Sequence, residues 1–282
     1  MPELPEVETV ARTLAPQVVG RFIDNAEVLL PKTLQTGHAF LPELRGGRIA
    51  QVWRRAKLLL VDVAFDDPAK EPLTLAFHLK MTGRLFVYGP EEAPGKHTRL
   101  RFGLSEEADG PVAAQLFFDD TRTFGYCRIM REPEFTDWKF WKELGPEPLL
   151  ITPEEFAERF KSKRGGIKAA LLNQGMIAGV GNIYADESLF LAGIRPDAPC
   201  CELGEKRLVR LAGALRDVLE ESIRQCGSSI RDYRDANGNA GAFQNTFNVY
   251  GRHGESCRVC GKTLKKSVAA GRTTVHCPHC QR

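Results

Sequence analysis

The chain has 282 residues, 43% of them hydrophobic, a length and composition that allow two domains with buried cores. No apolar run approaches the roughly 18 residues that cross a bilayer, and the acidic start lacks the pattern of a secretory signal, so the sequence predicts a soluble cytoplasmic protein. The net charge is only +3, but the residues from Asn245 onward hold seven Lys or Arg against one Glu, which predicts either a polyanionic partner for this tail or a solvated basic segment.

The first predicted element is a helix from Pro5 to about Ala15. Pro5 suits the first position of a helix, and apolar residues follow it at helical spacing. Pro16 and Gly20 lie at or beyond the predicted end of this helix.

From Arg21 to about Met130 the pattern changes to short strands. The segments RIAQVWRRAKLLLVDVAF, LTLAFHLKMTGRLFVYG, TRLRFGL and AAQLFFDDTRTFGYCRIM are rich in β-branched and aromatic residues. Gly, Pro and acidic clusters separate them. Several short strands in series predict a sandwich or a barrel.

The segment LGPEPLLITPEEF, residues 144–156, predicts a boundary, with Thr152 and Glu155 forming a capping box around Pro153. Helices are predicted after it at 153–161, 166–173, 182–191 and about 203–225. Gly193 and Gly227 stand where helices would stop. The polar stretch from SSIRDY to FNVYGRHG predicts a long loop.

The turn GVGNIYADES lies between two predicted helices. Gly179, Gly181 and Asn182 tolerate unusual backbone angles, and a helix begins near Asn182, which together predict an anion site at a helix N-terminus. Lys168 and the KSKR run at 161–164 place positive charge nearby. The alternative interpretation is an ordinary turn between helices.

Four of the eight cysteines are scattered and are expected to be reduced, whereas the other four have the spacing C-x2-C-x16-C-x2-C. Two CxxC turns close a tetrahedral site that suits Zn²⁺. Because protein ligands fill all four positions, this zinc is predicted to be structural. The predicted ligands are Cys257, Cys260, Cys277 and Cys280.

Between the two cysteine pairs, KKSVAAGRTTVH alternates as a β-hairpin would. Arg272 stands beside Gly271 near its tip. The segment is therefore predicted to be a zinc ribbon with a basic tip, for which phosphate or groove contact is the functional interpretation and a solvated Arg272 the alternative.

Several motifs occur together and in order: PELPEVETV, HLKMTG, RTFG, IKAALLNQGMIAGVGNIYADE, RDY, VYGR and the terminal four-cysteine ribbon. From residue 2 to residue 281 the sequence resembles bacterial formamidopyrimidine-DNA glycosylases. The resemblance implies an α+β fold with an N-terminal helix and β-sandwich, a helical domain with a helix–two-turn–helix motif, and a zinc ribbon. It implies domains at 2–146, 147–244 and 245–282, with DNA in the cleft and a monomeric protein.

The implied function is that of a bifunctional DNA glycosylase and AP lyase in base-excision repair. Such an enzyme removes 8-oxoguanine and formamidopyrimidines from duplex DNA and cleaves the strand by β,δ-elimination. Two alternatives stay open. An endonuclease VIII-like enzyme, which prefers oxidised pyrimidines, is expected to depart from the PELPEVET motif at the start of the chain. A non-catalytic zinc-dependent DNA-binding protein would need neither a free Pro2 amine nor Glu3.

The resemblance identifies Pro2 as the nucleophile. Removal of Met1 would expose a secondary amine, part of which is neutral at working pH because an α-amino group titrates near 8. A neutral amine can attack C1′ of the damaged nucleotide and expel the base. The resulting iminium is cationic and acidifies the C2′ proton, which permits elimination. The alternative is that Pro2 only protects the terminus.

Three further residues are assigned to this chemistry. Glu3 would act as a proton donor beside the nucleophile, and Glu6, in the first helical turn, would position the terminal amine. Lys57, in RRAKLLL, matches the family's lysine position and would assist base loss as a proton donor, although a lone Lys in an apolar strand usually only snorkels. Glu8 is interpreted as decoration of the helix N-terminus.

Extruding a nucleotide leaves a void in the duplex. Met81, Arg122 and Phe124 match the three residues that the family inserts there, and we call them the wedge residues. Without the resemblance, packing in the core would be the better interpretation of Met81 and Phe124. Thr123 departs from the pattern of many relatives, which carry a second Arg there, so phosphate contact at this point is in doubt.

The resemblance implies phosphate contacts at His78, Asn182 and Arg272, and Lys168 is predicted to bind DNA through its positive charge. The polar loop from about Gly227 to Gln244 is the segment that the family closes over the flipped purine, and we call it the lesion loop. Its predicted contacts with the base are Ser228, Ser229, Ile230 and Arg231, with Tyr250 as a neighbour.

Overall fold

The computed structural model describes residues 1–282, which form two compact units. The first unit contains Met1–Lys142 and Cys226–Gly241, and the second contains Glu143–Gln225 and Ala242–Arg282. The lesion loop therefore belongs mostly to the first unit, whereas the sequence grouped it with the helical region. It does so because side chains of the first helix bind its backbone, as described below. The three-domain division itself stays a prediction.

Helix α1, Leu4–Val18, opens the first unit and buries one apolar face. It begins one residue before Pro5 and continues past Pro16, where the sequence predicted its end. Pro16 lies in the last turn, and the Val19 N–H still donates to the carbonyl of Ala15 at 2.9 Å. A proline this close to the end removes a single intrahelical hydrogen bond, so the helix continues through Pro16.

Nine strands follow α1 and pair into a continuous sheet in the order β2-β9-β5-β4-β3-β1-β7-β8-β6. They are β1 Phe22–Val28, β2 Leu34–Thr36, β3 Gly47–Arg55, β4 Leu58–Ala64, β5 Leu73–His78, β6 Gly83–Tyr88, β7 Thr98–Ser105, β8 Val112–Asp120 and β9 Tyr126–Met130.

The predicted sandwich is confirmed by contacts between strands that are distant in this order. The ring of Phe77 on β5 lies 6.3 Å from that of Phe102 on β7 and 5.5 Å from that of Phe118 on β8. The sheet therefore folds over a shared apolar core. Two short helices, α2 Glu132–Asp137 and α3 Lys139–Lys142, follow β9 and were not predicted.

The second unit is helical, with a terminal hairpin, as predicted. Its elements are α4 Pro153–Lys161, α5 Ile167–Leu172, α6 Asn182–Leu191, α7 Glu205–Arg224, β10 Lys265–Ala269 and β11 Arg272–His276. The bounds of α4 and α6 match the prediction, and α5 and α7 differ from it by one or two residues at each end. None of the helices is long and apolar enough to cross a membrane.

The predicted capping box of α4 is present. The Glu155 N–H donates to Thr152 Oγ1 at 3.1 Å, and the Thr152 N–H donates to Glu155 Oε2 at 3.0 Å. Two donors at the start of the helix are thereby satisfied reciprocally.

We expect Thr152→Ala to lower the free energy of unfolding by about 1 kcal/mol, because it removes the acceptor of the Glu155 N–H. Thr152→Ser keeps the hydroxyl and should stay near the wild-type value. Urea unfolding followed by circular dichroism measures the difference. Equal midpoints for Thr152→Ala and Thr152→Ser would show that this cap contributes nothing.

Candidate active site and nucleic-acid interface

The Glu6 carboxylate joins the start of α1 to the lesion loop. Its Oε2 accepts the backbone N–H of Glu3 at 2.8 Å, and its Oε1 accepts the backbone N–H of Ser228 at 2.8 Å. Pro2, Glu3 and Glu6 are all buried, whereas Met1 before them is exposed. The structure thus places three of the four predicted catalytic residues together at the start of α1, and Glu6 binds the backbone next to Pro2.

The lesion loop begins at a backbone position that requires glycine. Gly227 has φ +81°, and a Cβ there would lie 3.0 Å from Glu6 Cγ. Two residues later, Ser229 Oγ donates to the carbonyl of Tyr233 at 2.9 Å. The Tyr233 hydroxyl in turn donates to the carbonyl of Glu6 at 3.3 Å, and burial together with the Glu6 charge raises the pKa of Tyr233.

The predicted lesion-loop contacts divide into buried and exposed groups. The Ser228 amide is engaged by Glu6, so it is not open to a ligand in this conformation, contrary to the prediction. Ile230 and Arg231 are exposed. Tyr250 belongs to the second unit, where its N–H donates to the buried carboxylate of Glu187 at 2.8 Å.

Lys57 lies in the two-residue turn between β3 and β4 rather than within a strand. The residue before it, Ala56, has φ +53°, and Lys57 is only 6% exposed. The next residue, Leu58, pairs with His78 across β4 and β5. The positive charge of Lys57 helps to lower the pKa of His78. Lys57 therefore does not snorkel on an apolar strand.

Glu8 and Arg54 support this turn, so the interpretation of Glu8 as decoration of the helix N-terminus is wrong, and Arg54 was not predicted to have a role. Glu8 Oε2 lies 2.9 Å from Arg54 Nε, and Arg54 Nη1 donates to the carbonyl of Ala56 at 3.2 Å. Burial raises the pKa of Glu8, but Arg54 and Arg12 outweigh it and the pKa is lowered overall. Glu8 is thus a link from α1 to the turn of Lys57, and nothing in its spacing signals a partner 46 residues away.

His78 ends β5 and is buried, and its Nδ1 accepts the N–H of Lys80 at 3.1 Å. Burial, with smaller effects of Lys80 and Lys57, lowers its pKa to about 3. The ring is therefore neutral near pH 7. Because Nδ1 is an acceptor, Nε2 carries the hydrogen and can donate to an anion.

We expect acid to destabilise the protein partly through His78. In the unfolded chain His78 is protonated as the pH falls below about 6.5, whereas in the folded chain it is protonated only near pH 3. The stabilisation is complete above pH 6.5 and is lost as the pH falls toward 3. The free energy of unfolding of the wild type should thus fall more steeply over this range than that of His78→Gln. His253→Gln, at an exposed histidine, is the control, and parallel curves for all three proteins would contradict the prediction.

The three wedge residues lie on two solvent-exposed turns of the first unit. Met81 follows β5 and is 38% exposed, and Phe124, between β8 and β9, is 54% exposed. The Arg122 guanidinium lies 4.9 Å from the centre of the Phe124 ring. Packing in the core, the alternative for Met81 and Phe124, is therefore wrong.

One buried carboxylate holds both turns. Asp120 Oδ2 accepts the N–H of Gly125 at 2.7 Å, and Oδ1 accepts the N–H of Arg122 at 3.2 Å and the hydroxyl of Thr82, next to Met81. Asp120 was not among the residues predicted from the sequence. Its signal is an Asp immediately before a polar turn, whose side chain can bind backbone amides ahead of it.

Asp120→Ala should lower the free energy of unfolding by about 1–3 kcal/mol, because it leaves buried donors unpaired. It should also accelerate amide exchange at Gly125. Asp119→Ala, at the neighbouring position of β8, is the matched control and should leave exchange at Gly125 slow. If both variants exchange at the same rate, Asp120 does not hold the turn.

In the second unit the four predicted zinc ligands converge. Their sulfur atoms all lie within 4.8 Å of one another, with Cys260 and Cys277 at 3.4 Å and Cys257 and Cys280 at 3.9 Å. Four thiolates at this spacing fit a tetrahedral structural zinc, as predicted. The cluster fixes the two ends of the β10–β11 hairpin.

Asn182 lies beside the start of the strand that carries Arg272 in the second unit. Asn182 begins α6 and donates from Nδ2 to the carbonyl of Thr273 at 3.0 Å. Arg272, the residue before Thr273, is exposed at the start of β11. The helix N-terminus after the glycine turn and the basic tip of the ribbon thus form one surface.

Lys168, by contrast, was wrongly predicted to offer its positive charge to DNA. Its side chain is fully buried, with Nζ 2.6 Å from Asp186 Oδ1 and 3.3 Å from the Thr273 carbonyl. Burial raises the pKa of Asp186 to about 6, although the Lys168 ammonium counteracts this shift. Nζ also donates to Thr274 Oγ1, so Lys168 fastens the helices to the hairpin and is closed to DNA.

Three family models match the chain in order. They are the formamidopyrimidine-DNA glycosylase N-terminal domain at residues 1–127, the formamidopyrimidine-DNA glycosylase H2TH domain at 144–234, and a zinc finger found in FPG and IleRS at 254–282. The helix–two-turn–helix region and the zinc ribbon that the sequence indicates are thereby confirmed.

Similar proteins cover the whole chain. A formamidopyrimidine-DNA glycosylase from Nitratidesulfovibrio vulgaris is 43% identical, with full coverage of both chains, and one from Chloroflexus aurantiacus is 42% identical, covering 100% of this chain and 98% of the relative. Among solved structures, a Lactococcus lactis FPG mutant in complex with Fapy-dG containing DNA has a TM-score of 0.89 at 35% identity. MutM in complex with carbocyclic 8-oxo-G containing DNA has a TM-score of 0.87 at 35% identity. Both structures cover 100% of each chain.

Proposed function

The chain belongs to the formamidopyrimidine-DNA glycosylase family, and from that premise we propose how its residues divide the reaction. It is a base-excision repair enzyme that removes oxidised purines from DNA, and its family combines the glycosylase with an AP lyase activity. Its substrate is DNA containing damaged bases or abasic sites. We propose that it meets this substrate in the cytoplasm, at the nucleoid.

Pro2, freed by removal of Met1, is the nucleophile. Its neutral secondary amine attacks C1′, the bond from C1′ to the damaged base breaks, and the base leaves with the bonding electron pair. The nitrogen loses its proton and forms an iminium with C1′ as the sugar ring opens. Withdrawal of the C2′ proton then expels the 3′ phosphate by β-elimination, and a second elimination releases the 5′ phosphate.

Glu3 protonates the ring oxygen of the sugar as the ring opens, and Lys57 assists departure of the base. The observation that carries this assignment is the bond from the Glu3 N–H to Glu6 Oε2, because it fixes the residue next to the nucleophile. Burial of Pro2 and Glu3 also supports it, since both are shielded from competing water.

The wedge residues fill the space left by the extruded nucleotide. Met81 and Phe124 replace the lost stacking with apolar contact, and Arg122 donates hydrogen bonds to the unpaired base. Their solvent exposure on two turns braced by Asp120 supports this role.

Neutral His78, Asn182 and Arg272 bind DNA phosphates. A donor that does not titrate near neutral pH makes the His78 contact insensitive to pH between about 5 and 8, which the lowered pKa supports. Exposed Ile230 and Arg231 are the residues of the lesion loop that meet the damaged base, with Tyr250 as a neighbour.

Borohydride trapping tests the nucleophile. With Met1 confirmed removed, the wild type should form a covalent adduct with duplex DNA containing 8-oxoguanine opposite cytosine, because borohydride reduces the iminium. Pro2→Gly should trap much less, by at least tenfold. Pro5→Ala, which changes the proline in the first turn of α1 and leaves Pro2 in place, should trap normally.

The outcomes separate the alternatives. Absence of any wild-type adduct would favour a non-catalytic DNA-binding protein. Stronger trapping on thymine glycol than on 8-oxoguanine would indicate an endonuclease VIII-like preference. Normal trapping by Pro2→Gly would reject Pro2 as the nucleophile and leave the glycosylase activity standing.

A further inference from the structure

A lysine that the sequence analysis did not single out lies beside the wedge residues. Lys32 Nζ is 3.0 Å from Thr123 Oγ1, although the two residues are 91 positions apart in the chain. Thr123 stands between Arg122 and Phe124. The side chain of Lys32 therefore reaches the centre of the turn that carries two wedge residues.

Strand pairing explains how Lys32 arrives there. Strand β2 runs parallel to β9, with Leu34 opposite Cys127. Parallel neighbouring strands begin at the same end of the sheet, so the residues before Leu34 lie beside the residues before Cys127. Lys32 precedes β2 in the short helical turn Pro31–Thr33, which contacts β9.

The turn that receives Lys32 has a defined backbone. Thr123 has φ +56°, an unfavourable left-handed conformation for a β-branched residue. The bonds from Arg122 and Gly125 to Asp120 hold the backbone on both sides of it. The backbone that carries the Thr123 hydroxyl is therefore held on both sides, and the bond to this hydroxyl brings the Lys32 ammonium to the turn of the wedge residues.

The Lys32 ammonium keeps donors available. Lys32 is exposed, and none of the ion pairs in the structure includes it. An ammonium has three N–H donors, and the bond to Thr123 uses one. A cation with spare donors and no carboxylate, next to residues proposed to enter the duplex, is suited to a phosphate oxygen.

We propose that Lys32 binds a DNA phosphate beside the wedge, and so provides the cation that Thr123 itself does not. The inference rests on the proposed function, because it requires the wedge to engage DNA. The Thr123 hydroxyl orients the ammonium, and the charge of Lys32 makes the contact. Phosphate contact at this point was in doubt because Thr123 carries no charge, and Lys32 places a cation at the same turn.

The salt dependence of DNA binding provides the test. The probe is a duplex carrying a tetrahydrofuran abasic-site analogue, which the enzyme can bind without forming an iminium. Each phosphate contact contributes about 0.9 to the slope of log Kd against log salt concentration. Lys32→Gln should therefore reduce the slope by about 0.9, and Lys32→Arg should keep it.

Two further variants separate charge from structure. Lys70→Gln, which removes an exposed lysine from the loop between β4 and β5, is the matched control and should keep the wild-type slope. Thr123→Arg in the Lys32→Gln background should restore the slope, because it returns a cation to the same turn. Thermal unfolding confirms that each variant is folded.

A wild-type slope in Lys32→Gln would overturn the inference, even if its affinity fell, because weaker binding at constant slope indicates a structural role in the turn. Borohydride trapping on 8-oxoguanine DNA is run on the same proteins. Normal wild-type trapping with an unchanged Lys32→Gln slope would reject Lys32 alone. Absence of wild-type trapping would reject the proposed function instead.

Discussion

The proposed active site depends on the two hydrogen bonds that the Glu6 carboxylate accepts. One oxygen binds the backbone next to the proposed nucleophile and the other binds the start of the lesion loop. The position of the reacting residue and the position of the loop are therefore fixed by the same side chain. Each bond is charge-assisted and buried, which makes it stronger than a bond between neutral groups.

The same device recurs at two other loops. Asp120 binds the amides of Arg122 and Gly125, and the buried carboxylate of Glu187 accepts the amides of residues 248–250 at 2.8–2.9 Å. Irregular loops cannot pair their amides as strands do, and a carboxylate offers two oxygens with several acceptor sites. The start of the lesion loop, the turn of Arg122 and Phe124, and the segment of Tyr250 are thus each held by a carboxylate from within the same unit.

The positively charged side chains near the proposed DNA-binding residues are either buried and paired with an acid or exposed to solvent. Lys168 is buried and neutralised by Asp186, so it stabilises the second unit and takes no part in binding. Arg122, Arg272 and Lys32 are exposed, so their charges remain available to phosphates or bases. Local sequence does not distinguish these fates, because Lys168 and Lys32 both stand near polar turns and differ only in what the fold packs around them.

The sequence by itself determined the family, the zinc ligands and the bounds of α4 and α6. These features depend on local spacing, on capping chemistry and on motifs that keep their order along the chain. Only the tertiary structure decided the burial of Lys168, the link from Glu8 through Arg54 to the turn of Lys57, and the contact between Lys32 and Thr123. Each of these contacts joins residues from different elements. Strand pairing and packing decide which elements meet, and no local sequence pattern encodes them.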